Sequence, residues 1–223
     1  MKFFTKKRVV LFLLFIFPLI CFLILSTGEN NFTKLPIVTK NIVDISEITS
    51  GKKITFKENV SIVCFLGKDL KASKTGVFNF NEKIYKKFTD YKKFQVIAIY
   101  PSDKEAEVQE LKIELGVFTD MIKWNFIASS KEEIEAFYSS LNTGESLKNS
   151  YISKAYLIDK DGHLRGRIKD ADSKNGKLFG YNMNSVAVLN GKLKDDIKVL
   201  YYEYYAAFKS KNENKADRKE VGL

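Results

Sequence analysis

The stretch VSIVCFLGKDLKASKTGVFNFNEKIYKKF, residues 60–88, decides the fold. Its first seven residues, 60–66, form an almost unbroken apolar run, the signature of a buried strand. Residues 77–88 place Val77, Phe80, Ile84 and Phe88 at spacings of three and four, which predicts an amphipathic helix. A strand, a loop and a helix in this order begin an open α/β sheet. In such sheets chemistry collects beyond the carboxyl ends of strands, where loops and helix N-termini converge. The segment at that place, Gly67-Lys68-Asp69-Leu70-Lys71-Ala72-Ser73-Lys74-Thr75-Gly76, is read as a loop and holds neither cysteine nor histidine. A thiol-redox or copper-carrying domain would keep its reactive sulfurs there. The position is present and the sulfurs are not.

The chain of 223 residues has room for one domain of about 150–170 residues plus appendages. Its apolar fraction of 45% and 18 Phe supply a core, and three Pro with twelve Gly exclude a fibrous or low-complexity chain. Net charge is +10, but the lysines are mixed with 27 acids and form no nucleic-acid motif. The charge is therefore read as solubilising surface, with no nucleic-acid partner.

Residues 9–25 (VVLFLLFIFPLICFLIL) are an uninterrupted apolar run that Ser26 and Thr27 extend, at the short end of a membrane span. Lys2, Lys6, Lys7 and Arg8 precede it, which places the N-terminus in the cytoplasm and the rest across the membrane. No small-x-small cleavage site precedes Glu29, and Ile20 rather than a small residue precedes Cys21, so an uncleaved anchor is favoured over a signal peptide or a lipoprotein. Pro18 is tolerable in such a helix. The expected organisation is a basic cytoplasmic N-terminus (1–8), a transmembrane anchor (9–27), a linker (28–36), one domain (37–208) and a charged tail without regular structure (209–223).

Within the domain, 35–38 and 53–56, separated by Ser50-Gly51, suggest a short antiparallel preface. Residues 94–100 read as a buried strand ended by Pro101. Ser102 and Glu105 have capping-box spacing before a helix carrying Ala106, Leu111 and Leu115, with Gly116 as its stop. A strand follows at 123–128, then a second capping box, Ser130 to Glu133, before Ile134, Phe137, Tyr138 and Leu141. Strands at 154–158 and 163–168 are joined by Asp159-Lys160-Asp161-Gly162, a turn with Gly where positive φ is wanted. A polar insert covers 170–177. The last helix, 193–208, carries Leu193, Ile197, Leu200, Tyr201, Tyr204 and Phe208 on one face. Helical crossovers imply parallel strands and the hairpin adds an antiparallel pair, giving a central mixed sheet with helices on both faces.

This order, behind an N-terminal anchor, resembles a thioredoxin-fold domain. The segment Ala155-Tyr156-Leu157-Ile158-Asp159-Lys160-Asp161-Gly162-His163-Leu164-Arg165-Gly166 resembles the F/Y-L-I-D-x-D-G-x-x-R-G hairpin of membrane-anchored Sco/SenC proteins, the copper chaperones of cytochrome oxidase assembly. Residues 192–200 are similar to the final helix of that family. The resemblance covers 36–208 and implies an α/β thioredoxin-like sheet, a periplasmic location on the inner or plasma membrane and a partner such as cytochrome oxidase. Family members carry a C-x-x-x-C after the first core strand and a histidine shortly before the closing hairpin. Here those places read Phe65 to Lys74 and Asn149-Ser150-Tyr151-Ile152-Ser153-Lys154, so all three copper ligands are missing. Copper needs soft thiolate or imidazole donors.

Each remaining candidate has a plainer reading. Cys64 offers a one-cysteine redox or peroxidatic centre, against a small apolar residue inside a strand, which is preferred. Cys21 and Cys64 fall in lipid and protein core and are not expected to pair. His163 is the only histidine and, with Asp159 and Asp161 belonging to the turn, is read as the start of a hairpin strand rather than a metal ligand. Lys68, Lys71 and Lys74 beside a helix N-terminus suggest an anion site, against a solvated loop. Asn31 and Asn59 begin glycosylation sequons that matter only in a eukaryotic secretory route. Tyr201, Tyr202, Tyr204, Tyr205 and Phe208 form a packing face or an interface. The sequence is thus read as a tethered assembly or binding factor, not an enzyme, with no catalytic, cofactor or metal residues. The alternatives are a thiol-dependent oxidoreductase or peroxidase using Cys64, and a copper chaperone with unusual ligands.

Overall fold

A computed structural model describes residues 6–26, 34–49, 53–173 and 175–220. The chain divides into two units, Met1–Thr33 and Lys34–Leu223. The first contains helix α1 (Lys6–Ser26), with Pro18 inside it and exposed apolar side chains such as Leu11, Phe15 and Phe22. Among the described residues no helix is long and apolar enough to cross a membrane. The described apolar side chains of α1, residues 10–24, rise only about 22 Å at 1.5 Å per residue. The anchor expected over 9–27 extends beyond them at both ends. The linker residues 28–33, the sequon at Asn31 and the Ser50-Gly51 pair lie outside the described residues.

In the second unit, β2 (Val60–Leu66) is buried at every position. It runs parallel to β3 (Phe94–Pro101), which runs parallel to β4 (Trp124–Ser129). The crossovers are α2 (Leu70–Phe80), which continues through a π-helical turn (Asn81–Tyr85) into α3 (Lys86–Phe88), and α4 (Glu105–Gly116). After α5 (Lys131–Ser140) the chain returns antiparallel as β5 (Tyr151–Ile158) on the other side of β2, and β6 (Leu164–Arg165) closes the hairpin. The strand order is β1-β6-β5-β2-β3-β4, with β1 (Ile37–Thr39) at one edge and β7 (Tyr181–Asn182) also paired to β5. The mixed sheet and its flanking helices match the expected fold class. Strand alternation sorts two cores. Ile62, Cys64 and Leu66 face α2, α4 and the last helix, whereas Val63 and Phe65 face α5 and the segment around Phe56.

Several local expectations are corrected. Helix α2 begins at Leu70 rather than at Val77, because the Asp69 carboxylate accepts from the backbone N–H of Lys71 (3.1 Å) and Ala72 (3.4 Å) and caps it. Most of the supposed lysine-rich loop is therefore helical. The preface hairpin is absent. β1 pairs with β6, and Thr55 and Phe56 are tied instead to Asp44, whose carboxylate accepts from Thr55 Oγ1 (2.9 Å) and the Phe56 N–H (3.0 Å). Burial pushes the Asp44 carboxyl up, but these bonds and those from Ser46 outweigh it and hold it below the ordinary value. Ser102 caps nothing. Residues Ser102–Lys104 form a 3-10 turn, and the Glu105 carboxylate is taken by the Tyr100 hydroxyl and Gln109. The Ser130 box does form, with Ser130 Oγ accepting from the Glu133 N–H at 3.2 Å and the Glu133 carboxylate accepting from the Ser130 N–H at 2.9 Å.

The C-terminal part holds more structure than its polarity suggests. β5 bulges so that Cys64 pairs with Ala155 and Phe65 with Ile152. The displaced Lys154 pairs with Asn182 of β7. The last helix assembles from α6 (Val186–Val188), a π-helical turn (Leu189–Leu193) and α7 (Lys194–Glu220), which runs past Lys209 where an irregular tail was expected. Buried ion pairs fasten it. Asp159 Oδ1 accepts from the N–H of Asp161 (3.0 Å) and of His163 (2.9 Å), closing the turn in which Gly162 sits at φ +77°. Its Oδ2 accepts from Arg165 at 3.1 Å, and Arg165 also bonds Glu203 of α7. Arg167 forks onto Asp196 at 2.8 and 2.9 Å, and Asp196 accepts from the Tyr181 hydroxyl at 2.7 Å.

Breaking a buried pair strands a charge. Arg165→Met is expected to destabilise the domain by about 3–5 kcal/mol, read as a fall in the urea midpoint at unchanged slope. A loss no greater than that of an exposed pair, under about 1 kcal/mol, would contradict the buried placement of Asp159 and Glu203.

Candidate functional site

The carboxyl end of β2 is where this topology would place chemistry, and the structure brings two distant segments together there. The first is Gly67-Lys68-Asp69 with the start of α2. The second is the turn at 148–151 that opens β5. Lys148 and Tyr151 exchange two backbone hydrogen bonds of 3.0 Å across Asn149 (φ 52°) and Ser150 (φ 60°). Two successive positive φ values define the tight hairpin turn that matches strand twist, with Asn at ease in it and Ser strained. The Lys68 N–H donates to Asn149 O at 3.1 Å.

Tyr151 closes the site. Gly67 has φ +72°, and a Cβ built there would fall 2.4 Å from Tyr151 Cβ, so the tyrosine stem rests on the glycine. Its hydroxyl donates to Ala72 O in the first turn of α2 at 3.2 Å. Burial pushes the phenol up, partly offset by a hydrogen bond with Asn184. The side chains gathered here, Lys68, Asp69, Ser73, Asn149, Ser150 and Tyr151, include no thiol and no imidazole. They offer hard oxygen and ammonium groups, with Lys68, Asp69 and Asn149 exposed and Ser73 and Ser150 buried, whereas copper prefers soft thiolate or imidazole donors. Among the described residues, no three His, Cys, Asp or Glu side chains are grouped to hold a metal.

Cys64 lies two positions before the last residue of β2, facing the α2 side of the sheet. It is 1% exposed, and its Sγ lies 3.6 Å from Ile97 O. Burial pushes the thiol up to about 12. That is far from the low-pKa, exposed setting that makes cysteine a nucleophile. Cys21 is a free thiol on α1, in the other unit.

His163 has a structural task. Its Nδ1 accepts the Asn41 N–H at 3.0 Å, and beside it the Ile42 N–H donates to Gly162 O at 3.1 Å, so the hairpin turn holds the segment after β1. Asp159 is committed to the turn and to Arg165. Lys68, Lys71 and Lys74 line a groove of about 370 Å³ between α2 and α4, in which Lys74 pairs with Glu114 at 2.8 Å and Lys104 with Glu107 at 2.7 Å.

The aromatic stretch splits into two roles. Tyr201 donates to Lys92 O at 3.3 Å and packs edge-on against Tyr91. Tyr204 Oη accepts the Lys160 N–H at 3.3 Å beneath the Lys160 ammonium, which sits 4.5 Å from the ring. Tyr205 and Phe208 remain exposed. Sequence reasoning missed Tyr151, because its role comes from a contact 84 positions away in the chain (151 − 67) that no local pattern announces.

No protein-family model matches the sequence, and no curated protein matches it in sequence. Solved structures do match in shape. BsSco, a member of the Sco family of cytochrome c oxidase assembly proteins with a disulfide switch, aligns at TM-score 0.52 and 12% identity, over 75% of this chain and 98% of that one. A putative protein disulfide isomerase from Bacteroides thetaiotaomicron aligns at TM-score 0.50 and 14% identity, over 78% and 99%. A SCO1/SenC family lipoprotein from Bacillus anthracis aligns at TM-score 0.46 and 17% identity, over 78% and 99%. The domain from Lys34 onward has the thioredoxin-like fold of which Sco proteins are examples.

Proposed function

We propose that this chain is a membrane-tethered, extracytoplasmic protein that keeps a Sco-like scaffold and works by docking rather than by copper or thiol chemistry. The observation that carries the reading is Tyr151 seated on Gly67, at the place where a functional relative would present its sulfurs and histidine. The buried Cys64 supports it from the other side, since the one thiol of the domain faces the core. The anchor rests on the apolar run at 9–25 behind four basic residues, which sets the domain on the far side of the membrane. Tethering raises the effective concentration of the domain near membrane partners. The likeness to BsSco makes the assembly of a respiratory oxidase the first pathway to test.

Two measurements decide between this reading and its rivals. In a full-length Cys21→Ser chain, a polar maleimide is expected to modify Cys64 only after denaturant is added; rapid modification of the native protein would favour the thiol enzyme instead. Affinity capture of the intact chain from mildly solubilised membranes of its own cell is expected to recover oxidase subunits or their assembly factors. Capture that repeatedly lacks them would remove the oxidase from the proposal.

A further inference from the structure

Helix α7 outruns the body it packs on. Ile197 and Leu200 are fully buried, and Tyr201 and Tyr204 pack on the same core. The helical spacing carries that stripe four residues on to Phe208, which is 65% exposed. Tyr205, beside it, is 63% exposed, with its ring centroid 6.4 Å from that of Tyr202.

The point where the chain enters the domain bears on what covers these rings. Leu35 is buried, and its backbone N–H donates to the carboxylate of Glu203, two residues before Tyr205. The covalent link from α1 therefore arrives beside this turn of α7. Eight residues, 27–34, separate the end of α1 at Ser26 from Leu35, and fully extended they reach about 30 Å. With α1 across a bilayer, that covalent length is the limit on how far Leu35 stands from the end of α1.

The side chains suit a bilayer surface. Tyrosine, with an apolar body and a polar tip, is enriched where membrane meets water. The sequence continues from Phe208 with Lys209 and Lys211, and residues 209–220 hold five basic against three acidic side chains, a balance that anionic headgroups attract. Another exposed apolar group, Ile113, Val117, Phe118 and Ile122 around the end of α4, lies among both signs of charge, Glu110, Glu114 and Asp120 with Lys112 and Lys123, and has no basic excess of this kind.

We propose that Tyr205 and Phe208 rest in the interface of the bilayer that holds α1, so that anchor and helix end together fix how the domain faces the membrane. The proposal rests on the anchor reading given above. It is tested with the full chain carrying Phe208→Trp, reconstituted into vesicles of equal parts zwitterionic and anionic phospholipid, with or without brominated acyl chains. Trp124, the one native tryptophan, is buried and gives the background. The added emission is expected to shift to the blue and to fall about twofold or more with brominated lipid, as for an interfacial ring, while an Ile122→Trp control is unaffected. Emission from Phe208→Trp that brominated lipid leaves unchanged would overturn the proposal, whether the ring is in water or covered by protein. Equal quenching of the Ile122→Trp control would overturn it too. Alkaline carbonate separates the two claims: a chain that stays in the vesicles keeps the anchor whatever the quenching shows, and a chain that is extracted sinks both.

Discussion

A glycine and a tyrosine set the character of this domain. Gly67 lets the chain turn sharply out of β2 at positive φ, and Tyr151 occupies the space that any larger residue would need. Through that contact the end of the central strand, the cap of α2 and the turn before β5 become one packed unit. The Lys68 amide and the Tyr151 hydroxyl bond it from both sides. A site that must bind metal or exchange disulfides needs reachable donors and room for a partner atom. Here the same volume is spent on packing.

A second constraint acts at the other end of the sheet. Asp159 closes the hairpin turn with one oxygen and holds Arg165 with the other, and Arg165 in turn holds Glu203 on α7. The fork of Arg167 on Asp196 repeats the theme two turns earlier in the helix. The motif that carries the family resemblance is therefore scaffold: its acid, glycine and arginine join hairpin to helix. That task is independent of the side chains at the end of β2, so the motif requires neither thiol nor imidazole there.

Much of this was legible in the sequence, for physical reasons. Runs such as 60–66 and 94–100 are apolar because both faces of those strands are covered, and the Ser130–Glu133 box works within four residues. Cys64 reads as core because it sits inside such a run. What stayed hidden depended on distant partners or weak local signals. Asp69 starts α2 in a polar stretch with no apolar period, and Glu105 looks like a capping residue until Tyr100 claims it. β7 is two residues long and pairs with β5 beside the bulge, a partnership that no local pattern announces. The task of His163 is visible only once Asn41 is seen across the hairpin.

Fold, site and charge together support the proposed reading, a tethered protein that presents a surface rather than performs a reaction. The central claim is that the Sco-like position has lost its metal chemistry. The most direct measurement is a Cu(I) titration of the full-length Cys21→Ser chain in detergent against a chromophoric chelator. The account predicts no copper withdrawn from the chelator at equimolar protein. Stoichiometric withdrawal with submicromolar affinity, abolished by substitutions at Tyr151 or Asp69, would contradict it.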